Sequence, residues 1–418
     1  MICPGRIKMS LHTINWKKGT WHASADVPLA EIIISADWAP IRDFAPLIAD
    51  NPESVYGDLL EELRDADLRV TNLESTMTDQ GSGVHKSGSV FKGMNQHVSG
   101  LSAVPFEIAA MANNHVFDYG LEAFKNTCGL LKEKNIDSTG AGLSKEEAEK
   151  PLIKEVKGVK IAFINFSEGE DLTAAVNGPG VFGWEVDRVC EIIKDIKDTV
   201  NAVVVICHAG LEYIPFPPPY IARTFRQVAD AGADLVIGHH PHVPQGIEIY
   251  NGTPICYSLG NFLFFQQTNL KYRKLGYMIK AGISSEGVSS IRVIPYGIGT
   301  ENLFLLKKKK YESFMNKLQE ISEPLKDFSQ IEAAWHGFLK YYGLEGFKNE
   351  IGGIMAALDE DLPKAAAKFR NRLTTQQHRH HLVDLMSRIM DGSLNDAPEW
   401  ALKLTELWLT TTIDEQDA

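Results

Sequence analysis

Two kinds of segment alternate between about residues 31 and 300, and this alternation limits the fold more than any other feature of the sequence. Short runs rich in β-branched residues, such as EIIISAD, LRVTNLE and NAVVVICHAG, are separated by stretches such as VDRVCEIIKDIKD, whose apolar residues recur every three or four positions. The first pattern predicts strands and the second predicts amphipathic helices. Their alternation predicts an α/β domain.

The composition changes after about residue 309, where β-branched residues become rare. Segments such as YESFMNKLQEISEPLKDF and IEAAWHGFLKYYG have apolar residues at helical spacing. We therefore predict an N-terminal extension over 1–30, an α/β domain over 31–305, and an all-helical region over 306–418 that packs on the domain or caps it. The stretch PFPPPY at 215–220 predicts a rigid loop, because proline fits poorly inside a helix or a central strand.

Charge and cysteine usage exclude several classes of protein. The chain carries 54 acidic and 42 basic residues, so it lacks the basic character of a dedicated nucleic-acid binder. Its one basic run, Lys307 to Lys310, is expected to be a solvated linker. The five cysteines form no CxxC pair, which predicts buried thiols rather than disulfides. The sequence shows no apolar run of about 18 residues and no signal-peptide pattern, so we expect no membrane span and a cytoplasmic location.

Five of the predicted strands end in side chains that can bind a metal ion. These side chains are Asp37, Asn72 with Glu74, Asn113 with Asn114 and His115, His208, and the histidines of GHHPHV at 238–243. Sites in open α/β sheets form outside the carboxyl ends of the strands, so we expect these residues to share one pocket.

The ligand types indicate the chemistry. Carboxylates, amides and imidazoles without cysteine suit one or two divalent ions of Mn, Fe or Zn. A pair of such ions polarises a phosphoryl group and generates hydroxide near neutral pH. The pattern therefore predicts a metal-dependent hydrolase.

Six segments carry a resemblance to a known family. SADWAP, ADLRVTNLEST, AMANNHVFDYG, HAGLEY, AGADLVIGHHPHVPQGIE and YSLGNFLF occur in this order between about residues 31 and 265. Together they resemble the bacterial capsule-synthesis CapA family, also called poly-gamma-glutamate biosynthesis proteins, in the calcineurin-like metallophosphoesterase superfamily. The resemblance implies a four-layer α/β/β/α sandwich of two mixed sheets, here with an all-helical C-terminal extension.

The resemblance also implies roles for individual residues. The positions that match metal ligands are Asp37, Glu74, Asn114, His208 and the GHHPH histidines His239, His240 and His242. His115 matches the histidine that protonates the leaving group after metal-activated hydroxide attacks. The superfamily's GHxH ending can match His239 with His242 or His240 with His242, and the sequence leaves both pairings open. The superfamily's DxH motif ends here in Ala39, so one ion would lack an imidazole ligand.

Other polar residues complete the predicted site. Asp118 either caps a helix that begins near Gly120 or orients His115, and we include it with His115 as catalytic. The candidates for substrate binding are Asn72, Asn113, Glu212, Tyr213 and Asn261. Glu212 and Tyr213 could equally form a structural hydrogen-bonded pair. The stretch QQHRHH near residue 380 is expected to be a solvated helix, because its histidines point to different faces.

We therefore expect a phosphoesterase-like hydrolase linked to capsule or poly-gamma-glutamate biosynthesis. Its substrate would be a small phosphoester or an anionic polymer, and no nucleic acid is expected as a partner. The alternative is a non-catalytic metal-binding partner in the assembly of a surface polymer. The loss of the DxH imidazole favours this alternative, while the Asn114–His115 pair favours the enzyme.

Overall fold

A computed structural model describes residues 13–23 and 27–413. In this part of the chain the strands are β1 Thr20–His22, β2 Ala30–Ala39, β3 Leu68–Leu73, β4 Thr76–Met77, β5 Lys92–Gly93, β6 Ile108–Ala110, β7 Asp137–Thr139, β8 Ala141–Gly142, β9 Leu152–Val156, β10 Val159–Ser167, β11 Gly180–Val181, β12 Ala202–His208, β13 Leu235–His239, β14 Ile247–Tyr250, β15 Thr253–Cys256, β16 Asn261–Phe264, β17 Leu275–Ser284, β18 Gly287–Ile298 and β19 Leu303–Leu305. The α-helices are α1 Phe44–Asp50, α2 Leu59–Arg64, α3 Val98–Ala103, α4 Gly120–Glu133, α5 Lys145–Glu149, α6 Val186–Lys197, α7 Pro219–Asp230, α8 Lys309–Ser322, α9 Phe328–Glu360, α10 Leu362–Thr374, α11 Gln376–Met390 and α12 Glu399–Thr410.

Two mixed sheets form the α/β part of the protein. The larger sheet has the order β1-β18-β17-β2-β3-β6-β7, with β16 beside β2 and β19 beside β18. The second sheet has the order β14-β15-β13-β12-β10-β9. Strands β2, β3, β6 and β7 run parallel in the first sheet, and β10, β12, β13 and β15 run parallel in the second. The predicted sandwich of two mixed sheets is confirmed.

The apolar alternation along the strands explains how the layers pack. In β12, Val204 and Ile206 belong to the core between the two sheets, whereas Val203 and Val205 belong to the core under α6 and α7. Every residue of β12 is buried, which is why its sequence reads as one continuous apolar run. Full burial of each such side chain contributes about 1.5–3 kcal/mol.

The C-terminal helices pack against the α/β part, as expected. Leu325 and Ile331 enter the core under α7, and Trp335 and Phe338 of α9 form a further cluster with Leu211. The helical extension is confirmed, and the predicted domain boundaries stay a prediction. Strand β1 lies within the predicted N-terminal extension, yet it pairs with β18 of the larger sheet.

Three smaller expectations have mixed outcomes. The proline-rich stretch is a loop only as far as Pro218, because Pro219 is the first residue of α7, where its missing N–H costs nothing. The basic run is exposed as expected, but Lys309 and Lys310 already belong to α8 rather than to a linker. The cysteines among the described residues are free, and three of these four are buried. Cys3 lies outside the described residues.

The described helices include none that is both long enough and apolar enough to cross a bilayer.

Candidate metal centre

The carboxyl ends of the parallel strands in both sheets meet at one place. Asp37 lies near the end of β2 and pairs in register with Asn72 of β3. His208 and His239 are the last residues of β12 and β13 and are register partners in the second sheet. The Nδ2 of Asn72 joins the two sheets, because it lies 2.9 Å from Asp37 Oδ1 and 3.2 Å from His208 Nδ1. The structure therefore brings together the strand ends that the sequence predicts to converge.

Asp37 is fully buried between two imidazoles. Its Oδ1 lies 3.1 Å from His239 Nδ1, and its Oδ2 lies 3.4 Å from His242 Nδ1. Burial alone would raise the pKa of Asp37, but His239 and His242 outweigh burial and hold it well below the ordinary value. Burial would lower the pKa of His242, but Glu74 and Asp37 raise it to about 10. The proton on His242 thus offsets the charge of Asp37 in the metal-free protein, and a cation can take its place.

Glu74 follows β3 and has its carboxylate at the middle of the cluster. Its Oε1 lies 3.5 Å from His208 Nε2, 3.7 Å from His242 Nε2 and 3.8 Å from His115 Nε2. None of the described residues hydrogen-bonds to either of its oxygens. Burial raises the pKa of Glu74 well above its ordinary value. A buried carboxylate without partners is costly unless a cation or proton satisfies it.

A second set of donors surrounds His208. Its Nε2 lies 3.1 Å from Asn114 Oδ1 and 3.1 Å from His240 Nδ1. Burial lowers the pKa of His208 well below its ordinary value, and the neighbouring His240 lowers it further. His208 is therefore neutral, which is the form that binds metal ions.

The donor set fits a divalent transition metal. Donor atoms of Asp37, Glu74 and His208 lie within 4.8 Å of one another, and so do those of Glu74, His240 and His242. Among the described residues, neither nitrogen of His239 makes a hydrogen bond, although one lies 3.1 Å from Asp37. Two ligands bound to one ion at about 2.1 Å and near right angles lie about 3 Å apart. The unpartnered atoms thus have the spacing expected of ligands.

The GHHPH turn holds its histidines in an unusual backbone. His240 has a φ of 96° and His242 a φ of 56°, values that side-chain-bearing residues rarely adopt. Gly238 precedes them, and a Cβ there would lie 2.0 Å from the carbonyl oxygen of Tyr257. Strained residues of this kind persist where the surroundings hold them, and they cluster at functional sites.

His115 lies at the edge of the cluster against three neighbours. Its Nδ1 is 2.6 Å from Asp118 Oδ2, its ring stacks on Phe91 at 4.0 Å, and Lys86 Nζ lies 3.3 Å from Nδ1. Burial, and then the charge of Lys86, lower the pKa of His115 to about 4. Asp118 orients His115. It does not cap the following helix, because α4 begins at Gly120 without any side-chain cap.

A cavity of about 470 Å³ opens over Asn114, His115 and His242 and gives the centre access to a ligand. Of the predicted substrate-binding residues, Glu212 and Tyr213 line it. Asn72, Asn113 and Asn261 instead hydrogen-bond to their neighbours behind the candidate ligands. Asn113 Nδ2 donates to Asn72 Oδ1 at 3.3 Å, and Asn261 Oδ1 lies 2.9 Å from His242 Nδ1.

Sequence reasoning missed several residues of the cavity. Arg42 and Arg273 lie at its rim, and the Arg273 guanidinium stacks over the Tyr213 ring at 3.5 Å. Gln266 is buried, and no described residue donates a hydrogen bond to its Oε1. Arg42 and Gln266 lie in loops and Arg273 lies in a short 3₁₀ helix. None of them belongs to a metal-ligand pattern, so the sequence carried no signal for them.

The prediction of a solvated helix at QQHRHH is wrong. This stretch begins α11, in which Gln377 and His381 are buried. His380 stacks on Tyr220 at 4.4 Å, whereas His381 packs against Phe338 at 5.1 Å, so the histidines do lie on different faces. The faces are covered because α11 packs between α9 and the metal centre. Only the tertiary structure decides this.

Two stacked mixed sheets with buried carboxylate, amide and imidazole donors at their strand ends define an α/β protein with a candidate metal centre. The model of one family, bacterial capsule synthesis protein PGA_cap, matches residues 31–266, which is more than half of the chain. The chain belongs to this family.

Two curated relatives come from Bacillus. "PGA biosynthesis protein CapA" of Bacillus subtilis is 36% identical over 218 residues, which cover 51% of this chain and 57% of that protein. "Capsule biosynthesis protein CapA" of Bacillus anthracis is 31% identical over 207 residues, covering 48% of this chain and 50% of that protein. The matched regions thus span about half the length of these relatives.

Among solved structures, a 5'-nucleotidase precursor from Thermus thermophilus is similar at a TM-score of 0.40 and 11% identity, covering 70% of this chain and 57% of that one.

Proposed function

We propose that this protein is a metal-dependent hydrolase of phosphoesters or of an anionic polymer. The observation that carries the proposal is the buried carboxylate of Glu74, unpartnered among the described residues, amid imidazoles that face an open cavity. The names of the Bacillus relatives support a link to the biosynthesis of capsule or poly-gamma-glutamate.

We further propose that the centre binds two ions that share Glu74. The first ion would be held by Asp37, His239 and His242, and the second by Asn114, His208 and His240. The spacings support this division: His239 Nδ1 lies 3.1 Å from Asp37 Oδ1, and His242 Nε2 lies 3.7 Å from Oε1 of the shared Glu74. In the second set, His208 Nε2 lies 3.1 Å from both Asn114 Oδ1 and His240 Nδ1. All three histidines of GHHPH would then be ligands, and neither of the two pairings that the sequence left open would be complete.

His239 would replace the imidazole that is missing at Ala39. Both residues lie at strand ends, Ala39 at the end of β2 and His239 at the end of β13, and Nδ1 of His239 lies 3.1 Å from Asp37 Oδ1. His239 is fully buried, so its unpartnered nitrogens have no access to water and need another partner. The loss at Ala39 therefore does not imply the loss of an ion.

When bound, the ions would supply Lewis-acid polarisation of the phosphoryl group and activation of water. The protein's own groups would bind and orient the substrate. Arg42 and Arg273 at the cavity rim would attract its negative charge, and Gln266 Oε1 could accept a hydrogen bond from it. Glu212 and Tyr213 would border the same space.

His115 would protonate the leaving group from Nε2, while Asp118 fixes its ring through Nδ1. With a pKa of about 4, the imidazole is neutral at rest. A bound anionic substrate beside Nε2 would raise the proton affinity of the His115 imidazole by charge attraction. The imidazolium, which is the general acid, would therefore form only in the complex with substrate.

The neutral resting state of His115 favours one competing function, a metal-binding partner in polymer assembly without catalysis.

The decisive experiment measures bound metal by elemental analysis and then assays aryl phosphate monoesters and diesters with added Mn²⁺. We expect bound transition metal and hydrolysis that His115→Ala reduces. If the protein contains no metal, and the wild type and His115→Ala have equal activity, the proposal that it is a metal-dependent hydrolase is refuted.

Single substitutions test the two-ion assignment. His239→Ala and His240→Ala should each lower the bound metal from two ions toward one. The matched control is His22→Ala, which removes an exposed imidazole from strand β1, away from the centre. Full metal content in His239→Ala would show that His239 is not a ligand.

A further inference from the structure

Two helices of the C-terminal region reach the proposed ligands through polar side chains. Gln377, in the first turn of α11, is buried, and its side-chain Oε1 lies 3.3 Å from His240 Nε2. Its backbone N–H donates to Glu168 Oε2 at 3.1 Å, which fixes the start of the helix over the centre. The family model ends at residue 266, so these contacts come from outside the matched region.

The contact with Gln377 suits the His240 tautomer that carries its proton on Nε2. Nδ1 of His240 points toward His208 Nε2 at 3.1 Å, on the side of the proposed second ion. An imidazole that binds through Nδ1 must carry its proton on Nε2. The carbonyl oxygen of Gln377 is then the acceptor for this N–H, and Glu170 Oε2 lies farther away at 3.8 Å.

Helix α10 reaches another ligand through Glu170. Asn371 Nδ2 donates to Glu170 Oε1 at 2.8 Å and to Ser87 Oγ at 2.9 Å. The other oxygen of Glu170 accepts from Asn114 Nδ2 at 2.9 Å. With its amide nitrogen held in this way, Asn114 presents Oδ1 to the side of His208, 3.1 Å from Nε2.

The contacts of Gln377 and Asn371 therefore reach His240 and Asn114, the two residues proposed to bind the second ion together with His208. His242, a ligand of the first ion, is instead held by Asn261 of β16, within the α/β part. We infer that Gln377 and Asn371 are positioning residues of the metal centre, through which α10 and α11 hold His240 and Asn114 for the second ion. The first ion depends on the α/β part alone. This inference rests on the two-ion centre of the proposed function.

This arrangement couples metal binding to the docking of α10 and α11. Partners that orient metal ligands typically change metal affinity about 10–100-fold when they are removed. If docked helices favour the second ion, the bound ion must equally favour the docked helices. The C-terminal region would then respond to metal without contributing any ligand itself.

The test is calorimetric titration of the metal-free protein with Mn²⁺. In Gln377→Leu, we expect one of two binding steps to weaken about 10–100-fold while the other stays unchanged. Gln377→Glu replaces the amide oxygen with a carboxylate oxygen, which still accepts from Nε2, so this variant should keep most of the affinity. Gln376→Leu alters the adjacent residue, whose Oε1 bonds only to Arg379 among the described residues, and should bind like the wild type. Asn371→Leu should weaken the same step as Gln377→Leu.

A measurement on the wild type covers the case in which a variant fails to fold. Adding Mn²⁺ should slow amide hydrogen exchange in α10 and α11 relative to α8. The inference would be overturned if the wild type and Gln377→Leu bound Mn²⁺ with equal affinities, or if Mn²⁺ left amide hydrogen exchange in α10 and α11 unchanged. Either result would leave the two-ion centre in place. A wild type that binds no metal would instead refute the proposed function.

Discussion

Replacing Lys86 with methionine should change the proton affinity of His115. Lys86 is buried, and its Nζ lies 2.9 Å from Asp118 Oδ1 and 3.3 Å from His115 Nδ1. At an effective dielectric constant of about 20, a unit charge on Lys86 and one on His115, 3.3 Å apart, repel by about 5 kcal/mol. The imidazolium charge is spread over the ring, so we take about half of this value. At about 1.4 kcal/mol per unit, the pKa of His115 should rise by about two units.

Stability follows the same titration in the metal-free protein. In the wild type the folded pKa of His115 is about 4, below the ordinary value of 6.5. The unfolded chain therefore binds the extra proton first, and stability falls by about 3 kcal/mol as the pH drops from 6.5 to 4. In Lys86→Met the two pKa values nearly coincide, so this loss should shrink below about 1 kcal/mol. At neutral pH the variant should be less stable by about 3 kcal/mol, because Asp118 loses its buried partner.

NMR titration of the imidazole ring of His115, in protein treated with chelator, measures the pKa directly. Lys86→Arg is the control, because it keeps the positive charge and should leave the pKa low. A wild-type pKa near 6.5, or the same pKa in Lys86→Met, would refute the reasoning about this cluster.

Three further outcomes follow from the geometry. His115→Asn should slow hydrolysis of alkyl esters about 10²–10⁴-fold but that of 4-nitrophenyl esters far less, since a good leaving group needs no proton; an equal loss for both would refute the general acid. Gly238→Ala should lower the free energy of unfolding by about 1–3 kcal/mol and lower the metal content, because the new Cβ would clash with the Tyr257 carbonyl oxygen. A variant with the stability and metal content of the wild type would contradict this. Arg273→Gln should raise KM about fivefold with little change in kcat, and its KM should respond less to salt; a fall in kcat alone would speak against a binding role.

The strand ends were predictable because their signals are local. Apolar runs mark the parallel strands, and the rule that sites form at their carboxyl ends brings Asp37, Glu74 and His208 together without further information. The structure confirms the two-sheet fold, and in it these strand ends lie together. It also places all three GHHPH histidines beside the carboxylates, which the sequence alone left unresolved.

The surroundings of these site residues were not predictable, because they come from distant segments. Lys86 lies in a loop without regular structure, yet it becomes buried against Asp118. Gln377 meets His240 across 137 positions of sequence. Neither residue has a pattern that distinguishes it from a solvated one, because burial by another element leaves no trace in local periodicity. This is also why α11 was expected to be exposed.

The central claim is that two ions share Glu74. Anomalous diffraction from crystals grown with Mn²⁺ tests it most directly, because the signal locates each ion independently of the protein chain. We predict two peaks about 3.5–4 Å apart. One peak would lie between Asp37, His239 and His242, and the other between Asn114, His208 and His240. A single peak, or none within bonding distance of Glu74, would contradict it.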